Sequence, residues 1–344
     1  MKKRIALLTG GGDAPGLNGI IESLVRTLSS QNYEIVGICD GFEGVFEERS
    51  KILTAEAIEG LHSQAGTLLG TSNKSFIQGR EKEFIEKFSK LNCEGLVAAG
   101  GDGTFSSLSK LGGAVQIMGV PKTIDNDLQG TDITFGYDTA CAVIADSVDA
   151  LRATADAHRR VILVETMGRT AGWIALGGGL ASMADVILIP ERPFSRSMLK
   201  EKILQLKKSG RRGMVIVVSE GATAENEEAV VAFKVENSPQ KERFGGVAQQ
   251  LARWVEEETN WEARHVVPGH LQRSRAPTTT DRFLTVAMGV EVSRMVMEQK
   301  WGMAVVYKNG SVCRAPLGDI MQPPRLVPKD HRWVKMAQAL GIFI

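Results

Sequence analysis

Two aspartates, a threonine and a lysine stand within seven residues in PKTIDND, Pro121 to Asp127, directly after the largely apolar run Val115 to Val120. Side chains alternate along an extended backbone, so Asp125 and Asp127 point to the same side. One carboxylate can then take the proton of a substrate hydroxyl while the other orients it or touches a metal ion. Lys122 and Thr123 can meet the oxygens of a transferring phosphoryl group. A solvated turn after a buried strand accounts for the same residue types, so the stretch must be weighed beside the other loops.

TGGGDAPGLN, Thr9 to Asn18, follows an apolar run and precedes a helical pattern. Its glycines Gly10, Gly11 and Gly12 let the backbone approach an anion closely, and the following helix N-terminus adds its dipole. A tight strand-to-helix turn wants the same glycines. In GGDGT, Gly100 to Thr104, the carboxylate of Asp102 stands among glycines. That suits a magnesium ion, which keeps waters and takes only one or two carboxylates, and it equally suits a helix cap. VETMGRTAGW places Arg169 after a strand and ahead of a helix, where a guanidinium can neutralise charge developing on a phosphoryl group. Glu220 in VSEGA is an acceptor for sugar hydroxyls, and a cap or solvated charge otherwise. ARHVVPGHLQRSRAP gathers Arg264, His270 and Arg273, a set that can clamp a phosphate because guanidinium forks match its oxygens.

These loops need strands to carry them. RIALLTG, EIVGICDG, GLVAAGG, VQIMGVP, VILVETMG, DVILIPE, GMVIVVSEG, ARHVVPG and GMAVVYKNG are short apolar runs separated by helical patterns. Such runs predict parallel strands covered on both faces, hence an α/β protein with two sheets. Ligands collect at the carboxyl ends of such strands, where the loops above fall. The spacing predicts helices over 17–30, 80–90, 139–155, 196–208, 246–258 and 279–298. Glu225 to Arg243 is rich in charge and lacks a clear period, which predicts an excursion between lobes.

At 344 residues the chain has room for two compact lobes. Its 24% charged residues sum to a net +1 without a basic run, which argues against broad attraction to nucleic acid or an anionic membrane. Any phosphate chemistry must be local. Cys39, Cys93, Cys141 and Cys313 are scattered, with no zinc-ligand spacing, and read as reduced, buried thiols. MKKRIALLTGGGD starts like a secretory signal, but its apolar run stops at a glycine-rich turn, so the expectation is a cytoplasmic protein. Ala171 to Ile189 is the most apolar long stretch. Its three consecutive glycines and Asp185 predict a helix, turn and strand rather than a membrane span.

GGGDAPGLN, LGTSNK, GGDGT, PKTIDND, TFGYDTA, VETMGRTAGW, SEGA and PGHLQR, in this order, resemble the 6-phosphofructokinases over essentially the whole chain. GGDGT alone also occurs in NAD and lipid kinases; the ordered set is far more specific. The resemblance implies two Rossmann-like lobes with mainly parallel sheets in the phosphofructokinase fold. It puts the phosphoryl-donor lobe at 1–136 plus about 272–303, and the sugar-phosphate lobe at about 137–271 plus 304–344. The implied reaction is phosphoryl transfer to the 1-hydroxyl of fructose 6-phosphate in glycolysis. By the same resemblance Asp125 is the general base, Arg169 the transition-state stabiliser, and Thr123, Asp127 and Lys122 support them. Asp102 would hold Mg2+, with Gly11, Asn73, Lys74, Gly101, Gly103 and Thr104 around the donor. Met167, Gly168, Glu220, His270 and Arg273 would hold the sugar phosphate, along with Thr123, Asp125 and Arg169. Arg160 and Arg264 would reach across from a neighbouring subunit, implying a homodimer or homotetramer.

The sequence departs from the family pattern at several places. Asn73 stands where short bacterial ATP enzymes have an arginine, and Ser274 and Arg275 replace a glycine pair after PGHLQR. The latter admits another phosphosugar, such as sedoheptulose 7-phosphate, as the acceptor. FGGVAQQLARWVEE resembles the longer forms, which include pyrophosphate-dependent members. Pyrophosphate users typically place an aspartate at the position of Gly103 and a lysine at that of Lys122; here glycine leaves room for a nucleotide while lysine is present. The pattern favours ATP over pyrophosphate. Arg26, Arg152 and Arg211 match basic positions of the bacterial regulatory pocket, but Glu22 replaces an expected arginine, leaving an ADP or phosphoenolpyruvate site open. A catalytically silent sugar-phosphate sensor is the reading outside enzymes, and retention of Asp102, Asp125, Asp127 and Arg169 argues against it.

Overall fold

The computed structural model describes residues 2–72, 77–234 and 242–344, which divide into two compact units. The first holds the described residues up to Ile124, then Leu128–Thr139 and Arg273–Pro324; the second holds Asp125–Asp127, Ala140–Gln272 and Arg325–Ile344. The chain therefore changes unit inside PKTIDND. Lys122 and Thr123 fall on one side of the division, and Asp125 and Asp127 on the other.

Among the described residues, the sheet of the first unit runs β13 (Ser311–Pro316), β12 (Met303–Lys308), β5 (Ile117–Pro121), β4 (Leu96–Gly100), β1 (Lys3–Thr9), β2 (Tyr33–Ile38), β3 (Ser50–Leu53). The inner pairs are parallel, and β3 and β13 close the two edges antiparallel. β4 and β5 are buried at every position, as continuous apolar runs covered on both faces require. The helix Leu17–Ser29 packs on the helix Thr279–Met297 through small residues. A Cβ on Gly19 would stand 2.3 Å from Thr285 Oγ1, and one on Gly289 1.8 Å from Ser23 Oγ, so the close approach of these backbones depends on glycine.

The second unit has the parallel order β11 (Ala263–Val266), β6 (Val161–Thr166), β8 (Met214–Ser219), β7 (Val186–Leu188). Its core joins Val161, Leu163, Ile216 and Val218 to Leu199, Ile203, Leu251 and Val255 of the covering helices. The stretch 171–189 forms the helix Trp173–Ala181, a turn and β7, as its glycines and Asp185 predict. Among the described residues, no helix is long and apolar enough to cross a membrane.

Three expectations are corrected. Residues 304–324 belong with the first unit, because β12 pairs with β5 and carries β13 with it. The described part of Glu225 to Arg243, expected as an excursion between lobes, lies within the second unit and enters an antiparallel pair of β9 (Val231–Lys234) with β10 (Glu242–Phe244). The cysteines are half-buried rather than buried, and burial pushes the Cys93 thiol up to about 12, which keeps it protonated and unreactive.

Candidate active site

In the first unit, β1 lies between β2 and β4, so the chain leaves it on one side and returns on the other. Thr9 is in register with Ala99, which sets the loops after β1 and β4 next to each other at this switch point. Gly10 donates its N–H to the Ala99 carbonyl at 2.9 Å. Thr104 is buried between the two loops. A Cβ on Gly10 would come within 2.7 Å of its Oγ1, and one on Gly100 within 2.5 Å of its Cβ. Gly11 has φ 78, a left-handed conformation that suits glycine.

Cationic side chains pin the first loop. The Lys122 ammonium donates to the Gly12 carbonyl, and Arg273 Nη1 donates to the Asp13 carbonyl at 2.6 Å. Lys122 itself is buried, and its N–H continues the ladder to the Gly100 carbonyl at 2.9 Å. The Thr123 carbonyl accepts the Thr134 hydroxyl at 2.7 Å.

Asp102 is exposed at the start of the helix Asp102–Ser109, its carboxylate accepting the Gly103 N–H at 2.6 Å. Gly101 precedes it with extended φ, and a Cβ built on Gly103 would meet no atom of the described residues within 4 Å. Among the described residues no three metal-ligating side chains cluster. A single open carboxylate beside glycine-rich turns is a donor set that fits Mg2+, an ion that needs only one or two protein carboxylates. Asn73 and Lys74 lie outside the described residues.

In the second unit the ends of β6 and β8 are in register, Thr166 opposite Ser219, so Met167–Arg169 and Glu220 emerge side by side. Glu220 donates its N–H to the Thr166 carbonyl at 2.9 Å, and its Oε1 accepts the Arg169 N–H at 2.9 Å. Gly168 (φ 137) and Arg169 (φ 48) turn the chain sharply here. A Cβ on Gly221 would lie 1.9 Å from the Arg169 carbonyl oxygen, so only glycine admits this turn. Burial raises the Glu220 carboxyl to about 7; the Arg169 N–H pulls it down, while the charges of Asp125 and Glu165 raise it further. Thr166 Oγ1, Ser219 Oγ and Arg169 Nε are buried without a hydrogen-bond partner among the described residues. Such a concentration of unmet polar groups at one sheet edge marks a place for a polar ligand or ordered water.

Gln272 carries no assigned role in the sequence reading, yet it is fully buried. Its Oε1 accepts the Met167 N–H at 3.2 Å and its Nε2 donates to the Gly269 carbonyl at 3.0 Å, fixing the turn that presents exposed His270. Its place between His270 and Arg273 in PGHLQR is the only signal that could have marked it. Glu165, also passed over, accepts the N–H groups of Gly246 and Ala248 at the start of the helix Val247–Thr259.

Of the three residues read as a phosphate clamp, Arg264 and His270 fall in the second unit. Arg273 belongs with the first unit, on the Asp13 carbonyl. Arg264 pairs with Glu256 at 2.8 Å and with Glu262 at 2.5 Å, and Arg160 pairs with Glu262 at 2.9 Å. Arg160 immediately precedes β6 and Arg264 is in register with Ile162. Both therefore stand toward the amino edge of this parallel sheet, opposite the edge carrying Arg169 and Glu220. The basic residues of the expected regulatory pocket are paired internally: Arg26 with Glu22 at 2.9 Å, and Arg152 and Arg211 with Asp185.

The glycine-lined turns of the first unit and the buried carboxylate beside an arginine turn in the second are each of the kind that phosphoryl transfer onto a hydroxyl uses. Comparison with known proteins agrees. The chain is 37% identical to "ATP-dependent 6-phosphofructokinase 2" of Clostridium perfringens, covering 99% of this chain and 98% of that protein. It is 38% identical to "ATP-dependent 6-phosphofructokinase" of Chloroflexus aurantiacus over 99% and 97%. The phosphofructokinase structure from Saccharomyces cerevisiae superposes with a TM-score of 0.81 at 27% identity, covering 99% of this chain, which spans 47% of that longer one. The family model Phosphofructokinase (PFK) matches residues 4–296, and with the full-length likeness above it, the chain belongs to the phosphofructokinase family.

Proposed function

We propose that this protein transfers the γ-phosphoryl group of ATP to the 1-hydroxyl of D-fructose 6-phosphate, giving ADP and fructose 1,6-bisphosphate in glycolysis. The observation that carries the reading is the grouping of Asp125, Arg169 and Glu220 within the second unit, where the Asp125 charge is felt by the Glu220 carboxyl. Asp125 takes the proton of the 1-hydroxyl as its oxygen bonds to the γ-phosphorus and the bond to the β–γ bridging oxygen breaks. Arg169 neutralises charge on the transferring group, and Glu220, with Met167, Gly168 and His270, holds the sugar.

On the donor side, Gly11, Gly101, Gly103 and Thr104 line the phosphates, Lys122 and Arg273 hold the first loop in place, and Thr123 and Asp127 support the base. Asp102 would hold Mg2+, which would supply neutralising charge to the donor phosphates. The open space at Gly103 leaves room for a nucleotide, and the relatives above carry "ATP-dependent" in their names. Both favour ATP over pyrophosphate. Arg160 and Arg264, on the far edge of the sheet, would serve the sugar site of a second copy, hence a homodimer or homotetramer. The cytoplasm is the compartment this reading implies, since both substrates are highly charged and do not cross membranes unaided.

The acceptor is tested with a panel of phosphosugars at fixed ATP and magnesium, identifying each product. Fructose 6-phosphate should give the highest kcat/KM. A clear preference for sedoheptulose 7-phosphate would refute the acceptor assignment.

A further inference from the structure

The last segment of the chain returns to the second unit and ends its approach on the catalytic loop. Arg325 donates its N–H to the Asp127 carbonyl at 2.6 Å. Its guanidinium places Nη2 at 2.8 Å and Nε at 3.2 Å from the Asn126 carbonyl. Asn126 is buried in a left-handed conformation, φ 53, between Asp125 and Asp127. A non-glycine residue holds that conformation at some cost and needs its surroundings to fix it. Arg325 supplies three hydrogen bonds to the two carbonyls that define the turn.

The same residue grips the arginine loop. Its guanidinium lies 4.6 Å from the ring centroid of Trp173, and the Trp173 indole N–H donates to the Arg325 carbonyl at 2.8 Å. Trp173 is buried and sits four residues after Arg169 in GRTAGW. Its ring packs edge-on against His331 at 5.1 Å, and His331 packs on Trp333 at 5.3 Å, so the tail is wedged in place by aromatic contacts. Glu191 ties the assembly again: one carboxylate accepts the Gly172 N–H at 2.9 Å and the Val327 N–H at 2.8 Å.

We propose that Arg325 is a positioning residue that holds the Asp125 loop and the Arg169 loop in register for phosphoryl transfer. The inference rests on the roles given to Asp125 and Arg169 in the proposed function. It assigns Arg325 no contact with substrate. The base must meet the hydroxyl while the arginine meets the phosphoryl group, so the two loops must keep a fixed separation, and Arg325 is bonded to the first loop and to Trp173, where the second loop enters its helix. Displacing a reacting group by about 1 Å can cost roughly 100-fold in rate while leaving binding contacts largely intact.

The test is a double-mutant cycle on the full-length protein with ATP, magnesium and fructose 6-phosphate. Turnover by wild type and its collapse in Asp125→Ser establish the underlying reading separately. Within it, Arg325→Ala should lower kcat about 10- to 100-fold with both KM values within about 3-fold. In the Asp125→Ser background the same change should cost less than about 3-fold, because there is no base left to misplace. Arg325→Lys, which keeps the charge and one donor, should recover part of kcat, and it replaces Arg325→Ala in the cycle if the alanine variant does not fold. A kcat within about 3-fold of wild type, or an equal loss in both backgrounds, would overturn the proposal.

Discussion

The Arg169 N–H donates to Glu220 Oε1 at 2.9 Å, linking the turn that carries a guanidinium to a buried carboxylate on the neighbouring strand end. The bond depends on three local facts: the register of β6 with β8, the left-handed φ of Arg169, and the absence of a side chain at Gly221. One hydrogen bond thus ties the group proposed to stabilise the transferring phosphoryl to the group proposed to hold the sugar.

The Glu220 carboxyl, raised to about 7 from an ordinary 4.5, makes ligand-free stability depend on pH. Between those values the native state keeps a proton that the unfolded chain releases, so stability falls as pH rises through that window. The contribution is at most about 3 kcal/mol. Glu220→Gln should remove this component, and thermal unfolding of both proteins between pH 4.5 and pH 7.5 measures it. Identical pH slopes would show that the carboxyl is not perturbed as described.

Asp125→Ser should lower kcat by about 100- to 10,000-fold, the usual contribution of a positioned base. The KM for fructose 6-phosphate should stay within about 3-fold, because most contacts proposed to bind the sugar come from other groups. Steady-state kinetics decides it, and near-normal turnover would remove Asp125 from its role.

Gly103→Asp introduces a carboxylate where a built Cβ meets no atom of the described residues within 4 Å, so the variant should fold normally. Its negative charge, at the start of the helix Asp102–Ser109 among the loops proposed to line the donor phosphates, should repel ATP and cut kcat/KM for ATP by about 100-fold, roughly 3 kcal/mol at the transition state. Circular dichroism checks the fold and donor titration checks the loss. Unchanged ATP kinetics would detach Gly103 from the donor site.

Asp281 is fully buried, and its carboxylate accepts the Gly136 N–H at 2.9 Å, the Thr139 N–H at 2.8 Å and the Thr139 hydroxyl at 2.5 Å. It anchors the start of the helix Tyr137–His158 in the first unit. Asp281→Ala strands three buried donors and should destabilise the protein by about 2–5 kcal/mol. Denaturant unfolding would read this as a lower midpoint, while kcat of the folded enzyme at 25 °C should change little.

The parts that could be read directly from the residues are those fixed by short-range physics. β4 and β5 announce themselves because both faces are buried and the runs are apolar throughout. The helices Arg196–Lys208 and Thr279–Met297 were legible from residue spacing, and the structure adds their caps, Ser195 and Thr278 each accepting a backbone N–H. The edge strand β3 went unread because three of its four residues are exposed, and nothing in SKIL alternates. Residues 304–324 were assigned to the wrong unit because the pairing of β12 with β5 is set by tertiary contact across the chain, which no local pattern records.

The site divides the same way. Asp125, Arg169 and Glu220 are marked by type and by their position after strands. Gln272 and Arg325 act through backbone carbonyls and N–H groups distant in sequence, and polar residues of that kind look like any surface residue until the fold is known.

The most direct measurement is formation of fructose 1,6-bisphosphate by the purified protein with magnesium and fructose 6-phosphate, with ATP and pyrophosphate compared at equal concentration. ATP should support turnover at least about 100-fold faster than pyrophosphate, a difference of roughly 3 kcal/mol in transition-state stabilisation. Turnover with pyrophosphate alone would contradict the donor assignment, and no product with either donor would contradict the proposed reaction itself.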